Sequence, residues 1–257
     1  MEDKPIPLLK HLEVLRRVLL VSLVAVAACS LVAYFYYDYL LAIFLRPVTQ
    51  WHYQLVFIGV TEAFLTRLRL SFFSGVLLAL PVIFWQAWKF LLPALKRNER
   101  RLLLLLVPLS VLFFLLGVCF GFFAVLPAGV KVLLAMGGPS IAPMISLGNY
   151  ISFVIKFLLP FGLIFETPVV VLFLARAGLI THSYLARRRK YAVLIIAVAS
   201  AALTPSPDVF TQLMLGLPTY LVFELSVLIA RFVRPAPVDL AARREGSGFA
   251  SGIWSQT

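Results

Sequence analysis

Few side chains in this 257-residue sequence could do chemistry, and Glu166 stands out among them. It sits in Phe161-Gly162-Leu163-Ile164-Phe165-Glu166-Thr167-Pro168, within an apolar run from Ile151 to about Ala175. About 20 apolar residues at 1.5 Å each cross the roughly 30 Å hydrocarbon core of a bilayer. An ionised side chain at such depth costs about 2.5–3.5 kcal/mol on insertion scales, so it faces protein or a water-filled cavity and marks a functional site by default. The structural alternative is that Glu166 pairs with Lys156 or stays protonated as a packing residue. Other chemistries find no footing. There is no Ser/His, HExxH or paired-aspartate constellation for catalysis. Cys29 and Cys119 lie singly in apolar runs, without CxxC or histidine spacing, and read as packing residues. His52 and His182 lack ligand-spaced partners. The expectation is therefore no enzyme, no metal and no cofactor.

Composition says what kind of element holds such a carboxylate. The chain is 62% hydrophobic and 13% charged, with a mean hydropathy of +0.99. A soluble domain is about 45–50% apolar and 25% charged. This is the make-up of an all-α integral membrane protein in contact with the lipid bilayer. An outer-membrane barrel is excluded, because the apolar runs are continuous and do not alternate with period two. The first run is too long for a cleavable leader and lacks a small-residue cleavage pattern, so it reads as a first span.

Six runs follow in order. Residues 1–17 form a polar N-terminal segment, then Val18 to about Tyr37 a first span closed by Tyr34, Tyr36 and Tyr37 as an aromatic belt. Asp38 to about Glu62 is a mixed loop with Arg46-Pro47, Trp51 and His52, suited to short interfacial helices, with Pro47 in a structural or capping role. Ala63 to about Trp85 is a second span; Arg67 and Arg69 near its start can snorkel. Leu102 to about Leu126 is a third, ending at Pro127. Tyr150 to Ala175 is a fourth, interrupted at Pro160 and Pro168, where kinks free backbone carbonyls beside Glu166. Tyr191 to Leu203 and Val209 to Phe232 are the last two, joined by Thr204-Pro205-Ser206-Pro207-Asp208. The first of this pair has only about 13 residues, and Glu224 cuts the second to about 15 clean ones, so both fall short of a normal bilayer. An ion pair of Glu224 with Arg231 is expected. Residues 233–257 are Gly-, Ser- and Ala-rich and read as a flexible tail.

The net charge of +12 would suggest nucleic acid in a soluble protein, but its placement says otherwise. Lys4, Lys10, Arg16 and Arg17 precede the first span. Lys89, Lys96, Arg97, Arg100 and Arg101 fill the second turn, and Arg176, Arg187, Arg188, Arg189 and Lys190 the fourth. The opposite loops carry little beyond Arg46 and Lys131. Positive-inside bias puts these turns and both termini in the cytoplasm. No nucleic-acid partner is expected.

These residues resemble the TatC family, the multispanning receptor of the twin-arginine protein translocase, over about residues 8–232. The matching stretches are His11-Leu12-Glu13-Val14-Leu15-Arg16-Arg17, Thr61-Glu62-Ala63-Phe64, and Phe90-Leu91-Leu92-Pro93-Ala94-Leu95 running into Asn98-Glu99-Arg100-Arg101. Phe161 to Pro168 follows, then Leu203-Thr204-Pro205 through Asp208-Val209-Phe210-Thr211-Gln212. Five such stretches in the right order on six spans are a specific signal. One departs from the pattern, in which a glutamate directly precedes Leu-Arg: here that position is Val14, and Glu13 is about 100° round a helix from it.

The resemblance implies a glove-like concave bundle in a bacterial cytoplasmic (inner) membrane, with no catalytic chemistry. It implies binding of twin-arginine signal peptides, assembly with TatA- and TatB-type single-span proteins, self-association in a larger complex, and transport of folded proteins on the proton-motive force. Glu99, Glu13, Phe90, Pro93, Arg16 and Arg17 are implied in signal-peptide binding, Glu166 as the intramembrane polar site, and Thr204 and Gln212 in docking partner helices. A carboxylate at the cytoplasmic surface can take guanidinium groups through bidentate, charge-assisted hydrogen bonds. The residues themselves leave alternatives open. Glu99 could form a local ion pair with its basic neighbours, Glu13 could pair with Arg16 or Arg17, and Phe90 and Pro93 could be a belt residue and a helix stop. Thr204 and Asp208 could cap the turn, an acid there complementing the dipole of the last helix. A second function, proton-coupled transport of a small solute through Glu166, would call for repeated halves with matching broken helices. No such similarity between the halves is visible.

Overall fold

The computed structural model describes residues 8–49, 55–91, 100–135, 144–203 and 209–233. Helices α1 (Leu8–Phe35) and α2 (Tyr37–Thr49) come first, followed by strand β1 (Leu55–Val56) and helices α3 (Glu62–Leu91) and α4 (Arg100–Phe120). A π-helical turn over Gly121–Val125 carries α4 into α5 (Leu126–Ala135). Strand β2 (Ile145–Ser146), α6 (Leu147–Phe165), α7 (Thr167–Arg176), α8 (His182–Arg187), α9 (Arg189–Leu203) and α10 (Val209–Phe232) complete the order. The two short strands pair in parallel, Leu55 with Ile145 and Val56 with Ser146.

The fold is all-helical, and five helical runs are long and apolar enough to cross a membrane: Leu12–Phe35, Glu62–Leu91, Leu104–Val132, Leu147–Arg176 and Gln212–Phe232. Helix α9, at 15 residues, is about 22 Å long and stays below that threshold. Large apolar side chains cover the outside, such as Leu23, Val24, Leu194 and Leu213, which suits a lipid-facing surface.

Packing is tightest where small residues let backbones approach. A methyl group on Gly75 of α3 would overlap the backbone of Ser30 on α1, so α1 lies directly against α3 along its length. A methyl on Gly117 of α4 would overlap the Phe161 carbonyl and stand 2.8 Å from Phe165 Cβ; one on Gly162 of α6 would stand 2.6 Å from the Phe114 ring. The core between α3, α4 and α6 is filled by Leu70, Phe114, Ile151, Leu158 and Phe161, and α2 caps it with Phe44 and Val48.

The short helix expected after Asp38 is α2, which begins after a single turn residue and buries Tyr37, Phe44, Pro47 and Val48. Three expectations are corrected. The third span does not stop at Leu126, because the π-helical turn over Gly121–Val125 carries the helix on into α5, with Pro127 at its second residue. Pro160 lies inside α6 without ending it, and the break comes later, at Glu166. Glu224 pairs with Arg189 of α9 at 2.8 Å, not with Arg231, and accepts a second hydrogen bond from the Tyr220 hydroxyl.

Candidate functional site

The break between α6 and α7 follows from one missing donor. Pro168 has no N–H to return to the carbonyl of Ile164, four residues back. The Thr167 hydroxyl makes up the loss by donating to Ile164 O at 2.6 Å. Helix resumes at once, with the N–H groups of Val169 and Val170 both donating to Glu166 O at 3.0 Å. Glu166 is thereby held as a hinge residue, about 15 Å of helix from Arg176.

Its carboxyl group is buried, 8% exposed, and Oε1 has no hydrogen-bond partner. The Ser110 hydroxyl of α4 lies beside it. Ser110 is itself fixed from behind: the Trp88 indole N–H of α3 donates to its oxygen at 2.9 Å, so the hydroxyl proton is directed elsewhere. Trp88 stacks at a tilt on Phe173 at 5.0 Å between centroids, and Leu106, Val107 and Val169 close the wall. Trp88 and Ser110 thus tie α3 to α4 next to the kink, in apolar surroundings. One carboxyl oxygen is left buried and wanting a donor. Lys156 is exposed on α6 and is not that donor, and the only ion pair among the described residues is Arg189–Glu224.

A second carboxylate, missed as a site by sequence reasoning, stands at the other end of the bundle. Glu62 opens α3 and accepts from the N–H groups of Ile58 (2.7 Å) and Gly59 (3.1 Å), from Gly148 N–H (2.7 Å) and from the Ser146 hydroxyl. It ties the loop before α3 to the start of α6 and stands beside the β1–β2 pair. The sequence signal was an acid in the first turn of a helix, just after a glycine-containing loop; its partner Ser146 lies too far along the chain to be paired by spacing.

The remaining predicted residues are dispersed. Glu13, Arg16 and Arg17 are exposed on α1, and Glu13 forms no ion pair with either arginine. Phe90 is half-buried in the last turn of α3. Pro47 is buried near the end of α2. Gln212 of α10 donates through Nε2 to Ala197 O of α9 at 2.9 Å, and lines a cleft of about 460 Å³ between these helices together with Ser200, Gly216 and Tyr220. Glu99, Pro93, Thr204 and Asp208 lie outside the described residues.

Comparison with known proteins places this geometry. Residues 10–218 match the model of the family described as Sec-independent protein translocase protein (TatC). A relative from Carboxydothermus hydrogenoformans, named Sec-independent protein translocase protein TatC, is 47% identical over 235 residues, covering 91% of this chain and 97% of its own. One of the same name from Aquifex aeolicus is 36% identical, covering 88% and 95%. Two solved structures of the twin arginine translocase receptor TatC superpose with TM-scores of 0.75 and 0.78 at 36% and 35% identity. They cover 86% of this chain and 97% and 100% of their own. The proton-coupled solute carrier draws no support from these matches.

Proposed function

The chain belongs to the TatC family of Sec-independent protein translocases, and from that premise we propose that it is the twin-arginine signal-peptide receptor of a bacterial inner membrane. The observation that carries this reading is the structural likeness to a twin arginine translocase receptor over most of the chain. The short α9 inserts with the five long runs as a sixth span, both termini facing the cytoplasm, and the bundle forms a glove whose concave face holds Glu166. TatA- and TatB-type single-span helices and further copies of the receptor complete the translocase, which moves folded cargo on the proton-motive force.

Recognition and assembly divide between two surfaces. Glu99, in the basic turn between α3 and α4, takes the arginine pair through charge-assisted hydrogen bonds, with Glu13, Arg16, Arg17, Phe90 and Pro93 around it. Glu166, with its unsatisfied oxygen, meets a donor on an inserted peptide or partner helix; Gln212 and Thr204 position partner helices at the α9–α10 cleft. Interhelical hydrogen bonds average about 0.6 kcal/mol, so these contacts set register more than affinity.

The test is photocrosslinking from a probe at Asn98 with a twin-arginine peptide and a twin-lysine control, repeated with Glu99→Ala. A crosslink that needs arginine and disappears in a folded Glu99→Ala variant is expected. Equal labelling by both peptides would move specificity away from Glu99, and no labelling of folded protein would overturn the receptor reading.

A further inference from the structure

Two cations in the far halves of the long helices have no role in the reading above. Arg69 on α3 and Lys156 on α6 are exposed, about 10 Å and 14 Å of helix inside Glu62 and Leu147. Neither has an ion pair among the described residues. Arg69 donates to Ser152 Oγ at 2.7 Å, and Ser152 spends its own proton on Gly148 O at 2.7 Å, so the serine is oriented to present a lone pair to the guanidinium. Arg67 behaves differently: it donates to Tyr34 O at 3.3 Å and lies 4.5 Å and 4.9 Å over the Tyr34 and Tyr37 rings, with its charge absorbed inside the chain. Glu62, the acid nearest Arg69 in sequence, is already saturated by four donors.

Arg69, Ser152 and Lys156 line the polar end of a cleft of about 380 Å³ between α3 and α6, and Phe72, Val76 and Leu159 form its deeper, apolar end. Both helices run inward from the face opposite the basic turns, so charge lies toward the interface and apolar surface toward the membrane centre. Cations left in hydrocarbon are costly, and they are relieved by reaching for the phosphate level. We propose that this cleft binds an anionic phospholipid of the leaflet opposite the basic turns, its phosphate held by Arg69 and Lys156 and an acyl chain laid along Phe72, Val76 and Leu159. Two cations on one phosphate favour a lipid with net negative charge over a zwitterionic one.

Native mass spectrometry of the full chain in detergent tests this, titrating phosphatidylglycerol against phosphatidylcholine. The expected result is preferential retention of phosphatidylglycerol, lost by about tenfold or more in the Arg69→Gln/Lys156→Gln double variant and kept in Arg69→Lys/Lys156→Arg. Lys156→Gln alone breaks no contact within the chain and should lower retention even if the double variant fails to fold. Equal retention of the two lipids, or undiminished retention by the Gln variants, overturns the proposal. So does capture of a synthetic glutamate-bearing transmembrane helix in place of lipid, which would assign the cleft to a partner's carboxylate.

Discussion

Glu62 and Glu166 are the same side chain put to opposite uses. Glu62 accepts hydrogen bonds from four donors on three segments, and every one comes from within the chain. Glu166 sits among Trp88, Val169 and Phe173 with a single hydroxyl beside it and one oxygen orphaned. A carboxylate whose capacity is filled internally is a fastener; one left short in a dry setting is destabilising unless something else completes it. The contrast separates structure from function more sharply than position along a span does, since both residues begin or interrupt a long apolar helix.

Substitutions can break or sharpen that contrast. The largest loss of stability is expected for Glu62→Ala, which strands the donors of Ile58, Gly59 and Gly148 and the Ser146 hydroxyl together. The thermal midpoint in detergent should fall by more than for any other change here, and a midpoint like that of the unaltered chain would show that the latch is decorative. Next is Gly117→Ala, which forces the Phe161 carbonyl and Phe165 away at the α4–α6 crossing under the kink. Overpacking of this kind costs about 1–3 kcal/mol, read as a lowered midpoint. Glu166→Met should leave the midpoint unchanged or raise it, a gain in stability of up to about 1 kcal/mol, because the group it replaces is incompletely satisfied. The same variant should keep peptide crosslinking at Asn98 but lose assembly with single-span partners; a large drop in stability would make Glu166 a second fastener. The smallest effect belongs to Arg189→Ala, which breaks a partly exposed ion pair worth within about 1 kcal/mol.

Much of this was readable in the chain, and the failures share a cause. The run Val209–Phe232 coincides with α10, and the short fifth run corresponds to α9, because apolar length and basic flanks are local properties. Glu166 was visible as an acid in an apolar run. What escaped notice depended on partners distant in sequence. A short helix after Asp38 was expected, but not that it starts one turn residue after α1 or that its last turn buries Pro47. Pro160 and Pro168 looked alike, yet α6 runs through the first, while at the second Thr167 supplies the donor that the ring lacks. Arg189 was counted among topology signals when it is also the partner of Glu224. The Trp88–Ser110 bond could not be read from spacing, because it joins helices on either side of a turn.

The close seat of Ser30 on Gly75 has a mechanical consequence. Helix α1 contains neither glycine nor proline and rests chiefly on α3, so it acts as a stiff rod borne by one neighbour. Seated along its length, it carries a push at Arg17 to Phe35, about 27 Å away, as a slide of the whole rod rather than as a bend. Such a slide would move Tyr34 and so shift one of the two rings that hold Arg67.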